Sequence, residues 1–207
     1  MWSPVPPGVR ILPTMIDLVG SADEARMFIL LNGSFGIGKT TVANLLAHSI
    51  PNAVIYDPER VGFVLRRLPA WMLGLAEQPP DYQDLPIWRR LIARGGTRKH
   101  TGAAVVIVPM AFTNPAYLDE FARALSAKAP VHRLCLVAPL EIVRARLKAR
   151  AIKEGRDISE FEARRSEECV EAHRNPCFGT PLDATRQPAE IVADIRKELL
   201  LQSPQGG

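Results

Sequence analysis

A chain of 207 residues with 47% hydrophobic and 23% charged residues has the makeup of one α/β domain large enough to bury a full core. A net charge of +4, with arginines gathered between Arg144 and Arg165 instead of in an aromatic-interleaved stripe, argues against a nucleic-acid partner and suits a site for anionic phosphates. No apolar run reaches the ~18 residues a membrane span needs, and Cys135, Cys169 and Cys177 form neither a disulfide framework nor a C-x-x-C pair. The expectation is a cytoplasmic protein with at most peripheral membrane association.

Residues 1–26 show neither strand nor helix periodicity, and Pro4, Pro6, Pro7 and Pro13 break up the apolar core a secretion signal would need. This segment reads as a poorly ordered extension, the folded domain as 27–203, and 204–207 as a frayed tail. Met27 to Leu31 then reads as a strand that runs into Gly33-Ser34-Phe35-Gly36-Ile37-Gly38-Lys39-Thr40, which fits G-x-x-x-x-G-K-[ST] at every fixed position. Such a loop leaves backbone N–H groups free to surround phosphate oxygens. Lys39 supplies a point charge for the β- and γ-phosphates, Thr40 a hydroxyl for Mg²⁺, and the helix that follows its positive end. Gly33 to Thr41 are therefore the candidate ATP-binding residues.

Val42, Leu45, Leu46 and Ile50 recur at helical spacing, and Pro51-Asn52 ends that helix. A short strand over Ala53 to Tyr56 places Asp57 at a strand end, where parallel α/β sheets bind ligands. Asp57 can accept a proton from an attacking hydroxyl or organise Mg²⁺. It can equally cap the next helix, because Pro58 and Glu59 suit a first turn. Arg60 to Leu68 reads as a helix with Arg60 one turn from Asp57, a candidate substrate contact or a solvated arginine. Residues 69–80 are irregular, with Trp71, Met72, Leu73 and Leu75 as core or as a pocket wall. Helical spacing returns from Tyr82 to Ile92, with Trp88 a second candidate substrate contact, and Gly95-Gly96 is expected to interrupt it.

Ala103 to Met110 is a continuous apolar run that suits a central parallel strand, but it ends without the carboxylate that many phosphate-loop enzymes use to organise Mg²⁺. That shifts the metal role toward Asp57. Asn114-Pro115 opens another helix, and Val131 to Ala138 a fourth strand. A helix over Leu140 to Ile152 carries Arg146 and Arg150 at i,i+4, candidates to neutralise a moving phosphoryl group. Residues 153–165 are a lid candidate through Arg156, Arg164 and Arg165. The interleaved acids equally suit a solvated, ion-paired face. Cys169, His173 and Cys177 repeat every four residues, too few ligands for a closed zinc site, and read better as buried thiols beside an ordinary histidine. A fifth strand over Pro181 to Thr185 and a helix from Pro188 complete the chain.

LNGSFGIGKTT, then Tyr56-Asp57-Pro58-Glu59, DYQDLPIW from Asp81 to Trp88 and IVPM from Ile107 to Met110 together resemble the tunicamycin-resistance protein family, in order and spacing from Met27 to about Arg150. The resemblance implies a three-layer α/β/α P-loop NTPase fold with a five-stranded parallel sheet, like nucleoside-monophosphate and shikimate kinases. It also implies ATP with Mg²⁺, an adenine held near Ala184 to Pro188, and a small-molecule partner such as tunicamycin, phosphorylated or tightly bound. Carried over by position, Gly33 to Thr41 hold the nucleotide and Asp57 faces the substrate. The function expected is a small-molecule phosphotransferase with Lys39, Asp57, Arg146 and Arg150 as its chemistry. The alternatives are an ATP-dependent sequestering protein and a kinase of another hydroxyl-bearing metabolite.

Overall fold

The computed structural model of the chain describes residues 26–77, 79 and 81–202, so the expected extension over 1–26, apart from its last residue, and the tail from 204 lie outside the described residues. Strand β1 (Met27–Gly33) is buried on both faces from Phe28 onward, which is why it reads as an unbroken apolar run. It pairs in parallel with β3 (Val105–Met110) on one side and β4 (Val131–Val137) on the other, Leu30 lying opposite both Val108 and Arg133. Adding β2 (Ala53–Ile55) and β5 (Thr180–Asp183) at the edges gives a five-stranded parallel sheet in the order β2-β3-β1-β4-β5.

Side-chain alternation along the strands builds a core on each face. Phe28, Leu30, Val106 and Val108 meet α3 (Pro86–His100) and α4 (Pro115–Ser126) through Trp88, Ile92, Leu118, Phe121 and Leu125. Ile29, Leu31, Val105 and Ile107 meet α1 (Lys39–Ser49), α5 (Leu140–Lys153) and α7 (Pro188–Gln202) through Leu46, Leu147 and Ile195. Among the described residues the remaining α-helices are α2 (Glu59–Arg66) and α6 (Glu160–Ala172). The three-layer fold expected from the sequence is the one observed.

Gly95-Gly96 does not interrupt a helix, because α3 runs through both. The pair is there for close approach. A Cβ at Gly95 would lie 2.2 Å from Tyr56 Oη and one at Gly96 2.9 Å from Leu125 Cδ2. Tyr56 reaches across to donate to the Ile92 carbonyl at 3.1 Å, pinning the end of β2 to α3. The fifth strand stops at Asp183, two residues early, because the Asp183 carboxylate accepts from both the Thr185 amide and its hydroxyl and so forms a turn. In the irregular segment Leu73 and Leu75 pack on the core, whereas Trp71 and Met72 are exposed.

Candidate active site

The loop between β1 and α1 carries the site. Gly36 adopts φ 75° beneath α5, where a Cβ would fall 2.6 Å from Leu147 Cγ, so the loop can approach that helix only with glycine there. Helix α1 starts at Lys39 behind a left-handed Gly38, and no side chain caps it, which leaves its first-turn amides open to an anion. Lys39 folds back over the loop, Nζ donating to the Ser34 carbonyl at 2.9 Å and lying 5.3 Å from the Phe35 ring centre.

A cavity of about 380 Å³ opens in front of this loop. Phe35, Gly36 and Gly38 to Thr41 line it, joined by Asp57, Glu59, Pro109, Arg146 and Arg150. Gly33, Ser34 and Ile37 do not: Ser34 and Ile37 face a second cavity of about 650 Å³ behind the loop, bounded by the ends of β4 and β5 and by His173. Neither cavity is lined by Ala184 to Pro188, where the adenine was expected.

Asp57 does two things at once. It lines the cavity and accepts from the Glu59 amide at 3.0 Å, so the side chain that closes the turn into α2 also faces the cavity. Arg60 is exposed and does not line the cavity; the helical turn that starts at Pro58 directs Glu59 there instead. Glu59 Oε1 is buried without a hydrogen-bond partner. Burial pushes its carboxyl above the usual range, and Asp57 adds to this, while Lys39, Arg165 and Arg150 oppose it. The sequence offered one signal for Glu59, its place in the Tyr-Asp-Pro-Glu run, but it read as an ordinary first-turn acid.

Arg146 lines the cavity and donates to the Ile37 carbonyl at 2.9 Å, bracing the loop. Arg150 also lines it and is ion-paired with Glu162. Trp88 is not a substrate contact. It is fully buried, packed 5.1 Å from the Tyr82 ring centre and 5.9 Å from that of Phe112. Among the lid arginines, Arg156 and Arg164 are ion-paired on the surface, and Arg165 is buried at 4% exposure, bonded to Asp81 at 3.0 Å and Glu168 at 2.9 Å. His173 donates from Nε2 to the Phe112 carbonyl at 2.7 Å, and burial pushes its pKa down to about 4. Cys169 is buried but Cys177 is exposed, and among the described residues no three His, Cys, Asp or Glu side chains are grouped to hold a metal. No helix among the described residues is long and apolar enough to cross a membrane.

A β1-loop-α1 phosphate cradle on a parallel sheet in this order, with cations converging from α5, defines a P-loop protein of the kinase-like class. The chain belongs to the AAA domain family, whose profile matches residues 28–176. Among solved structures it is similar to the tunicamycin resistance protein of Deinococcus radiodurans, at 25% identity and TM-score 0.63 over 84% of this chain and 95% of that one. It shares its fold with a gluconokinase from Sinorhizobium meliloti, 17% identical with TM-score 0.57 over 86% and 98% of the two chains. The same holds for a shikimate kinase from Acinetobacter baumannii, 16% identical with TM-score 0.53 over 89% and 98%. No curated protein matches the chain in sequence.

Proposed function

We propose that the protein is an ATP-dependent phosphotransferase that phosphorylates a hydroxyl of a small molecule, with tunicamycin-like nucleoside antibiotics as the first acceptors to test. One observation carries this reading: a single cavity gathers the phosphate loop, Lys39, two arginines and two carboxylates, of which Glu59 has an oxygen without a partner. The identity of the Deinococcus neighbour supports the choice of acceptor.

The hard oxygen donors Thr40 and Asp57 line the cavity together and fit Mg²⁺, which binds through one or two protein oxygens plus substrate phosphates and would neutralise charge on the β- and γ-oxygens. Lys39 leaves the Ser34 carbonyl for the phosphates. The acceptor oxygen attacks the γ-phosphorus, the bond to the β–γ bridging oxygen breaks, ADP leaves, and the hydroxyl proton passes to Glu59. Burial favours that transfer by raising the proton affinity of Glu59. Asp57, tethered by the Glu59 amide, would hold the metal or its water on that side of the cavity. Arg146 and Arg150 meet the charge that spreads over the moving group.

Mass spectrometry of tunicamycin and a panel of sugar and nucleoside alcohols, after incubation with MgATP, tests the reading. Addition of one phosphoryl mass is expected. Tight binding of an acceptor with no added mass would replace transfer with sequestration.

A further inference from the structure

A carboxylate outside the cavity bonds to an arginine that lines it. Glu162 lies in the first turn of α6, and its side chain is 14% exposed, although it bonds on both sides to long, solvent-facing residues. One oxygen accepts from Arg150, which lines the cavity, and from Arg156 Nη2 at 2.9 Å; the other accepts from Arg156 Nη1 at 2.7 Å. Glu154, more exposed, reaches both arginines as well, at 2.6 Å from Arg156 and 3.8 Å from Arg150.

Surface ion pairs usually contribute little, because two flexible side chains must be ordered to make them. Glu162 differs in being fixed from behind. It completes a capping box with Ser159, accepting from that residue's amide at 3.2 Å and its hydroxyl at 3.1 Å. The neighbouring Phe161 anchors the same turn. Its ring centre lies 5.9 Å from that of Phe35 in the phosphate loop, and the Arg66 guanidinium sits 4.3 Å from it. The first turn of α6 is thus referenced to the loop itself, and Arg150 keeps a buried Nε with no hydrogen-bond partner.

We propose that Glu162 is a positioning residue for phosphoryl transfer, holding Arg150 and Arg156 as one ordered cationic unit beside the phosphate cavity before charge moves off the nucleotide. This rests on the phosphotransferase reading above. Ordered donors act most on the charge that develops in the transition state and least on the ground state. Glu162→Gln keeps the shape and loses the charge that orders the arginines. Against MgADP its affinity should stay within about threefold of wild type, while affinity for MgADP with aluminium fluoride, a mimic of the moving phosphoryl group, should fall about tenfold or more. Ser159→Ala, which removes one of the two bonds that hold Glu162 from behind but keeps the carboxylate and its charge, should lower Tm with a smaller split than Glu162→Gln. Equal binding of both ligands by wild type and Glu162→Gln overturns the inference, as does a parallel loss of both together with Tm. Wild-type protein that binds MgADP but does not trap the fluoride overturns it too. Wild-type protein that fails to bind MgADP overturns the phosphotransferase reading itself.

Discussion

At the scale of single residues, the two carboxylates beside the phosphate loop carry the sharpest expectation. Glu59→Gln should lower turnover by roughly 10²–10⁴ with little change in MgATP affinity, whereas Asp57→Asn should weaken metal-dependent affinity as well. Steady-state kinetics and nucleotide titration on the two variants separate the roles, and equal effects from both would remove the division of labour. Lys39 bonds only to a loop carbonyl and lies over an aromatic ring, so Lys39→Ala should abolish nucleotide binding with Tm nearly unchanged. His173 gives a pH prediction. Burial lowers its pKa from 6.5 to about 4, so the unfolded chain takes up the proton first as the pH falls. The stability tied to its neutral form is complete above about pH 6.5, declines as the pH drops toward 4 and levels off below. At ~1.4 kcal/mol per pKa unit the total is on the order of 3 kcal/mol. Denaturation of His173→Gln should show a shallower loss across that window.

At the scale of elements, α3 illustrates a local preference overruled by packing. Alanine is the better helix former by about 1 kcal/mol, yet Gly95→Ala should destabilise, because its Cβ would run into the buried Tyr56 ring and force the end of β2 away from the helix. A net loss of about 1–3 kcal/mol by chemical denaturation is expected. Gly102→Ala, with nothing within 4 Å of the added carbon, should be tolerated. The α5–α6 pair is the counterpart at the site. Three-dimensional position sorts the arginines that spacing leaves alike: Arg146 and Arg150, the expected site cations, line the cavity, whereas among the lid arginines Arg156 and Arg164 stay on the surface and Arg165 goes into the interior.

At the scale of the molecule, two cores of different composition grip one sheet. The face under α3 and α4 is aromatic, with Trp88, Phe28, Phe112 and Phe121 buried together, and the opposite face is aliphatic. Trp88→Ala should cost about 3–5 kcal/mol and lower Tm by about 10 °C or more, since the cavity left cannot collapse against a sheet fixed on its other side. Trp88→Phe should cost far less, because the buried indole N–H has no partner to lose. Calorimetry on the two variants, with nucleotide titration, should show stability moving while affinity stays, as a core residue requires.

The sequence determined the fold class and the phosphate loop, because both are written in contiguous residues: an apolar strand, glycines at fixed spacing and a lysine at the start of a helix are local demands of backbone geometry and anion binding. It also placed Asp57, since the end of a strand is a local fact. Only the tertiary structure decided which neighbours share the cavity. Glu59 and Arg60 are adjacent, and a rotation of about 100° along the helix separates an acid lining the cavity from an arginine in solvent. The same holds for Trp88, Arg165 and Glu162. Trp88 packs on Phe112 and Arg165 bonds to Asp81 and Thr113, while the turn that carries Glu162 meets the loop through Phe161 and Phe35; no spacing along the chain encodes contacts between such separate elements.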